Sequence, residues 1–163
     1  LTRPSWPLFR DSQRRMMYTI ENTGMVVSSD KGNPTDVHPT QKREVGQRLA
    51  CLALNDTYGF KHVVPSGPLF RKAEFKKGAA YVSFDHADGL RPANDGEELL
   101  TFEIAGEDRR FYPAKAVVEG NRVKVWSKEV KHPTIVRYGW QPYTKANLVN
   151  GAGLPASTFR SDY

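Results

Sequence analysis

The sequence predicts a helix–strand–loop–helix unit of α/β character over residues 1–65, followed by a small antiparallel β region over 66–163. Three observations lead there. Two stretches with helix signals flank one short apolar run, Met25-Val26-Val27, before residue 60. From about Gly67 onward, apolar and polar residues alternate with the period of a strand. Glu119-Gly120-Asn121 then separates two such runs as a hairpin turn would.

Taken in order, Pro4-Ser5 and Pro7 supply start signals for a helix running to about Ile20, with Asn22-Thr23-Gly24 ending it. Met25-Val26-Val27 lies between Gly24 and the polar Ser28-Ser29-Asp30, the pattern of a short strand buried on both faces. A loop from Asp30 to His38 leads to a second helix that starts at about Pro39. Its Val45, Leu49 and Leu52 recur on one face, and Gly59 is placed to stop it. One short strand cannot make a parallel sheet, so this unit is expected to be the end of an α/β domain whose other strands come from elsewhere. The β region offers strands at 80–84, 99–104, 114–118, 122–126 and 134–138, enough for a small β-sandwich or part of one. The last stretch, Trp140 to Tyr163, is aromatic and rich in Asn and Gly, and reads as an irregular tail that must pack on something.

Composition narrows the function classes. No apolar run approaches the roughly 20 residues that span a bilayer, so no membrane partner is expected. The net charge of +6 is spread among 18 acidic residues, and the densest basic spots are pairs such as Lys76-Lys77 and Arg109-Arg110. Nucleic-acid binding asks for a stripe or cluster of positive charge, so it is not expected either. The single cysteine, Cys51, permits no internal disulfide and sits among helix formers as a small buried hydrophobe would. Leu1 is followed by no signal-peptide pattern, and a chain that begins this way is expected to be processed or a piece of something longer.

The four histidines, His38, His62, His86 and His132, show no metal-ligand spacing, and no metal or cofactor is expected. His38 stands apart because it follows a predicted buried strand and precedes a predicted helix. The positive end of that helix would disfavour imidazolium, leaving His38 ready to take a proton. Asp36, two residues before it, could hold the other ring nitrogen and stabilise the charge as it forms. A neutral base with a carboxylate orienter supplies two of the three members of a serine-hydrolase triad. The same Asp-x-His pattern also serves as a plain helix cap, with Asp36 accepting backbone N–H groups.

The wider sequence bears on that choice. Asn22-Thr23-Gly24-Met25-Val26-Val27, Asp36-Val37-His38-Pro39 and Lys42 through Ala50 resemble the corresponding stretch of sialate O-acetylesterases. So do Ser66-Gly67-Pro68-Leu69, Phe102-Glu103-Ile104-Ala105-Gly106, Pro113-Ala114-Lys115-Ala116 and Val136-Arg137-Tyr138-Gly139-Trp140. Asn147-Leu148-Val149-Asn150 and Gly153 through Arg160 in the tail are similar too, so the resemblance runs in order along nearly the whole chain.

The resemblance implies the C-terminal piece of an SGNH-type three-layer α/β/α hydrolase domain with accessory β structure. It implies a serine-type acetylesterase acting on sugar hydroxyls, with His38 as general base and Asp36 as its partner. Many SGNH enzymes space the pair as Asp-x-x-His, whereas Thr35 stands three residues before His38; Asp30 or a Ser-His dyad are the alternatives. No serine sits in a Gly-x-Ser-type block, and Ser66 falls after the second helix, out of order. The nucleophile and oxyanion hole are therefore expected from an N-terminal part of the same protein that precedes Leu1, and this piece alone is expected to be inactive. O-acetylated sialic acid is the implied substrate, acetyl xylan or another polysaccharide the alternative within the chemistry. A non-catalytic carbohydrate-binding β module is the alternative of another class, with Trp126, Trp140 and Tyr143 as stacking or packing residues. The resemblance implies a secreted, periplasmic or lysosomal protein, and Asn55-Asp56-Thr57 matches a glycosylation sequon near a predicted helix end.

Overall fold

A computed structural model describes residues 3–36 and 38–163; Leu1, Thr2 and Val37 of the Asp36–Pro39 stretch lie outside the described residues. Helix α1 spans Trp6–Met16, with a proline in its first turn. It stops short of Ile20 in a closing turn where the Met16 carbonyl accepts the Thr19 and Ile20 N–H groups and the Thr19 hydroxyl together, and beyond it Thr23 Oγ1 bonds the Ile20 carbonyl. Asn22 then turns the chain at φ +57°.

Met25–Val27 is half-buried and belongs to no strand, so it is not a strand buried on both faces. Where a neighbouring strand was expected, the Arg48 guanidinium donates to the Val27 carbonyl at 2.6 Å. A short 3-10 turn, Ser29–Lys31, follows. Helix α2 covers Lys42–Asp56, so it starts at Lys42 and not directly behind His38 at Pro39. Gly59, at φ +77°, reverses the chain after it, and the Phe60 N–H closes on the Leu54 carbonyl at 2.9 Å. The apolar face of α2 is poorly covered: Leu49 is 51% exposed, and Asn55 is the buried residue of the helix. Cys51 is half-buried, not enclosed.

The β region holds two four-stranded antiparallel sheets and a two-stranded ribbon. In the first sheet, β1 (Leu69–Lys76) and β2 (Ala79–Asp85) lie beside β7 (Arg122–Trp126) and edge strand β6 (Lys115–Glu119). Lys77 and Gly78, at φ +50° and +72°, make the β1–β2 turn, and Gly120 at φ +61° makes the β6–β7 turn. In the second sheet, β4 (Phe102–Ala105) lies between β8 (Ile135–Tyr138) and β5 (Tyr112–Pro113), and β10 (Phe159–Arg160) flanks β8. The ribbon pairs β3 (Arg91–Pro92) with β9 (Leu148–Val149). Strand β4 begins at Phe102 and not at Leu99, because the Leu100 N–H is taken by Asn147 Oδ1 at 2.9 Å and Thr101 adopts φ +63°.

One core joins the two sheets: Val82, Val123 and Val125 from the first meet Ile104, Val136 and Tyr138 from the second. The segment after Trp140 is not merely an irregular tail. It contributes β9, β10 and the fully buried Leu148 and Phe159, with Phe159 stacked on Phe70 at 4.5 Å between ring centroids. Its asparagines satisfy buried backbone groups that no ladder reaches. Asn150 Nδ2 donates to the carbonyls of Ser66 and His86 at 3.0 and 3.2 Å, while its Oδ1 accepts the Leu154 N–H.

Helix α1 is tied to this β structure by charge as well as packing. Arg10 donates to the carbonyls of Gly139, Gln141 and Pro142 and to Thr158 Oγ1. Asp11 is fully enclosed and accepts two bonds from the buried Arg14. The Arg10 contacts set α1 against the end of the β region.

Candidate functional site

The loop after Met25 is organised from its own polar residues. Asn33 Oδ1 accepts the backbone N–H groups of Thr35 and Asp36 at 2.8 and 3.1 Å and the Thr35 hydroxyl at 2.9 Å. This is the side-chain turn that asparagine forms before proline-containing bends. Asp36 then performs the same service one step on, its Oδ1 accepting the His38 backbone N–H at 2.8 Å. The same oxygen lies 3.1 Å from Nδ1 of the His38 ring. With the proton on Nδ1, Asp36 holds that tautomer and leaves Nε2 as a free acceptor directed away from the pair.

The two residues singled out from the sequence are thus in contact, and their surroundings differ from expectation in one respect. Pro39, Thr40 and Gln41 separate His38 from the first turn of α2. The first turn of the helix, within which its field fades, therefore does not adjoin this imidazole; the Asp36 oxygen is the group beside it. Both side chains are open, His38 at 86% and Asp36 at 57% exposure.

Asp30, the other carboxylate considered for the role, is committed elsewhere. Arg48 reaches across from α2 and grips it with a two-pronged bond, 2.7 Å on each oxygen. The same guanidinium holds the Val27 carbonyl, so a single side chain pins both ends of the segment 27–30 to the helix. Arg48 stands inside the run that carries the resemblance, but nothing in its local sequence marks it: its partners lie 18 and 21 residues away.

Behind the Asp36 loop lies a cavity of about 340 Å³ walled by Trp6 and Arg10 of α1, by Met25–Ser29 and Asn33 of the loop, and by Tyr143 and Thr158 of the β region. Tyr143 packs close to Gly32, which places one of the aromatics noted in the sequence beside the candidate site. Trp140 stands between Arg137 and Arg160 and near Tyr163, a packing role on the second sheet. Ser66 is buried, with its carbonyl bonded to Asn150. Asn55 of the sequon is also buried, and its amide donates to the Val63 carbonyl at 2.7 Å, so that nitrogen is not presented for glycosylation. Among the described residues, no three of His, Cys, Asp and Glu gather into a group able to hold a metal ion. No described helix is long and apolar enough to cross a membrane.

No family model matches the chain. No curated protein matches it either. Among solved structures it matches a carbohydrate acetylesterase from Xanthomonas citri, with 45% sequence identity and a TM-score of 0.90 over 96% of the chain. The chain spans 36% of that enzyme's length. In sequence and in fold, therefore, this chain is similar to just over a third of a carbohydrate acetylesterase.

Proposed function

We propose that the chain is the histidine-bearing part of a serine-type carbohydrate O-acetylesterase, with His38 as general base and Asp36 as the residue that orients it. The observation that carries this reading is the contact of Asp36 Oδ1 with His38 Nδ1 on a loop of a chain 45% identical to part of a carbohydrate acetylesterase. In the reaction, a serine hydroxyl attacks the acetyl carbonyl as His38 Nε2 takes its proton. The tetrahedral adduct collapses, the sugar hydroxyl leaves with the proton returned by His38, and an acetyl-serine remains. Water then attacks that ester with His38 again as base, releasing acetate and restoring the serine.

The serine and the oxyanion donors belong, in this reading, to a further part of the same polypeptide packed against α1 and α2. Uncovered apolar side chains support that placement: Phe9 is 65% exposed, Tyr58 70% and Leu49 51%. The SGNH-type layering and a division between an α/β end at 1–65 and an accessory β-sandwich at 66–163 follow the sequence resemblance. So do O-acetylated sialic acid as the substrate and export or a lysosomal destination as the location. Acetylated xylan or another polysaccharide would use the same residues and differ in the sugar contacts.

The test is acetate release by the longer parent protein from O-acetylated sialic acid, acetyl xylan and a generic acetyl ester, beside its His38→Ala variant and this chain alone. Activity in the parent, its loss in the folded variant and a silent 163-residue chain are expected. Hydrolysis by this chain alone would place the nucleophile within it and refute the division of the site. A fully active His38→Ala parent would refute the role of His38.

A further inference from the structure

The fold gathers cations that the sequence scatters. Along the outer face of the first sheet, side chains of alternate residues align across the four strands through the observed register. Lys72 stands opposite Ser83, which pairs Arg122. Tyr81 pairs Lys124 on β7, and Trp126 pairs Lys115 on edge strand β6. Lys76 closes β1 at the same end. Lys72, Lys76, Lys115, Arg122 and Lys124 thus share one face with two carboxylates: Glu74 pairs with Lys72, and Glu119 lies 3.4 Å from Arg122 and 3.8 Å from Lys124. Exposed pairs of this kind are weak, and five cations against two carboxylates leave the face positive.

Two aromatic rings stand among these cations. Lys76 Nζ lies 4.6 Å and the Arg122 guanidinium 4.8 Å from the centre of the Tyr81 ring. Tyr81 therefore fixes flexible cations at set positions on the sheet. Trp126 is flanked by Lys124 at 5.6 Å and is the diagonal neighbour of Tyr81 across β2 and β7, a separation of about 8 Å. The half-buried indole of Trp126, with Lys124 over one side of its ring, offers two complementary contacts beside ordered cations. Its ring takes the C–H face of a sugar, and the ammonium and guanidinium groups take carboxylates within hydrogen-bond reach.

We propose that the outer face of this sheet is a docking surface for an acidic polysaccharide, a chain of carboxylate-bearing sugars, with Trp126 as the stacking platform and Lys124, Arg122 and Lys115 as the carboxylate partners. The surface is separate from the His38 loop, which lies on the other segment of the chain. The choice of a glycan over other polyanions rests on the reading of this chain as part of a sugar-acting enzyme. The measurement below reads binding alone, so failure of either idea leaves the other standing.

The experiment is affinity electrophoresis of the whole 163-residue chain through gels containing polygalacturonate, its methyl-esterified form, or double-stranded DNA. Retardation by polygalacturonate, weakened by salt and absent with the methyl ester, is expected. Trp126→Ala should weaken it about tenfold. Lys124→Gln with Arg122→Gln should weaken it further and flatten the salt dependence. Circular dichroism of each variant checks folding, and Trp126→Phe, which keeps a ring, should restore most of the binding. No retardation, or retardation by DNA as strong as by polygalacturonate and indifferent to Trp126→Ala, would overturn the proposal.

Discussion

Asp36 Oδ1 contacts His38 twice, at the backbone N–H (2.8 Å) and at ring Nδ1 (3.1 Å), so one oxygen sets both the bend of the loop and the face of the imidazole. The two roles can be separated by substitution. Asp36→Asn keeps an oxygen for the backbone bond while removing the negative charge beside ring Nδ1. Under the proposed roles, the longer parent protein carrying it should show a kcat lower by about 10²–10⁴-fold with little change in KM, whereas Asp36→Ala should also loosen the loop. Steady-state kinetics of both variants, beside hydrogen exchange over residues 33–40, distinguishes them.

The Arg48 fork on Asp30 and Val27 predicts a positioning effect. Arg48→Ala should cost about 2 kcal/mol of local stability in the segment 25–31. Arg48→Lys should recover little, because an ammonium cannot span both carboxylate oxygens and the carbonyl in one plane. Hydrogen exchange of the Met25–Lys31 amides reads the loss directly, and unchanged protection in Arg48→Ala would show that the fork holds nothing.

Tyr138, the last residue of β8, is enclosed in the core between the two sheets, and its hydroxyl accepts the Leu148 N–H at 2.7 Å. Burial pushes its ionisation far above the usual tyrosine range, against the opposing pull of the Leu148 N–H. Tyr138→Phe strands a buried N–H and should cost about 1–3 kcal/mol, measured as a drop in the urea midpoint at constant slope.

Asp11 yields a pH test. Burial raises its carboxyl above the ordinary value, against the opposing pull of Arg14 and Arg15. A carboxyl raised in the folded state favours the protonated form there. Its contribution is fully present below the unfolded pKa and is lost as pH rises through the folded one. The stability change of the native chain between pH 3 and pH 7 should therefore exceed, in the acid-favouring sense, that of Asp11→Asn. Urea titrations of both proteins at the two pH values check it; parallel changes would mean that Asp11 carries no such linkage.

Gly67 lies where the α2 connection enters β1, and a Cβ there would run into the Pro155 carbonyl. Gly67→Ala should cost more than about 2 kcal/mol and separate the tail from the start of β1. A control at Gly46, where nothing crowds a Cβ, should be neutral or stabilising, by up to about 1 kcal/mol. Thermal melts of the two variants give the comparison.

By itself the sequence determined what is local. The His38–Asp36 contact spans two residues, the Gly120 hairpin is closed by one glycine, and β7 is the run Arg122–Trp126 that alternation predicts. Short-range geometry and period-2 patterning are enough for each. The tertiary structure decided what depends on partners far along the chain. Met25–Val27 has the composition of a strand yet meets a guanidinium from α2. The Asn-rich tail looks irregular in sequence, yet it completes the core because Asn147 and Asn150 satisfy backbone groups up to 84 residues away. The same reason underlies the cationic face. Lys72, Lys76, Lys115, Arg122 and Lys124 are scattered in sequence and become neighbours only when strand register is set, because a sheet brings together residues by pairing and not by proximity along the chain.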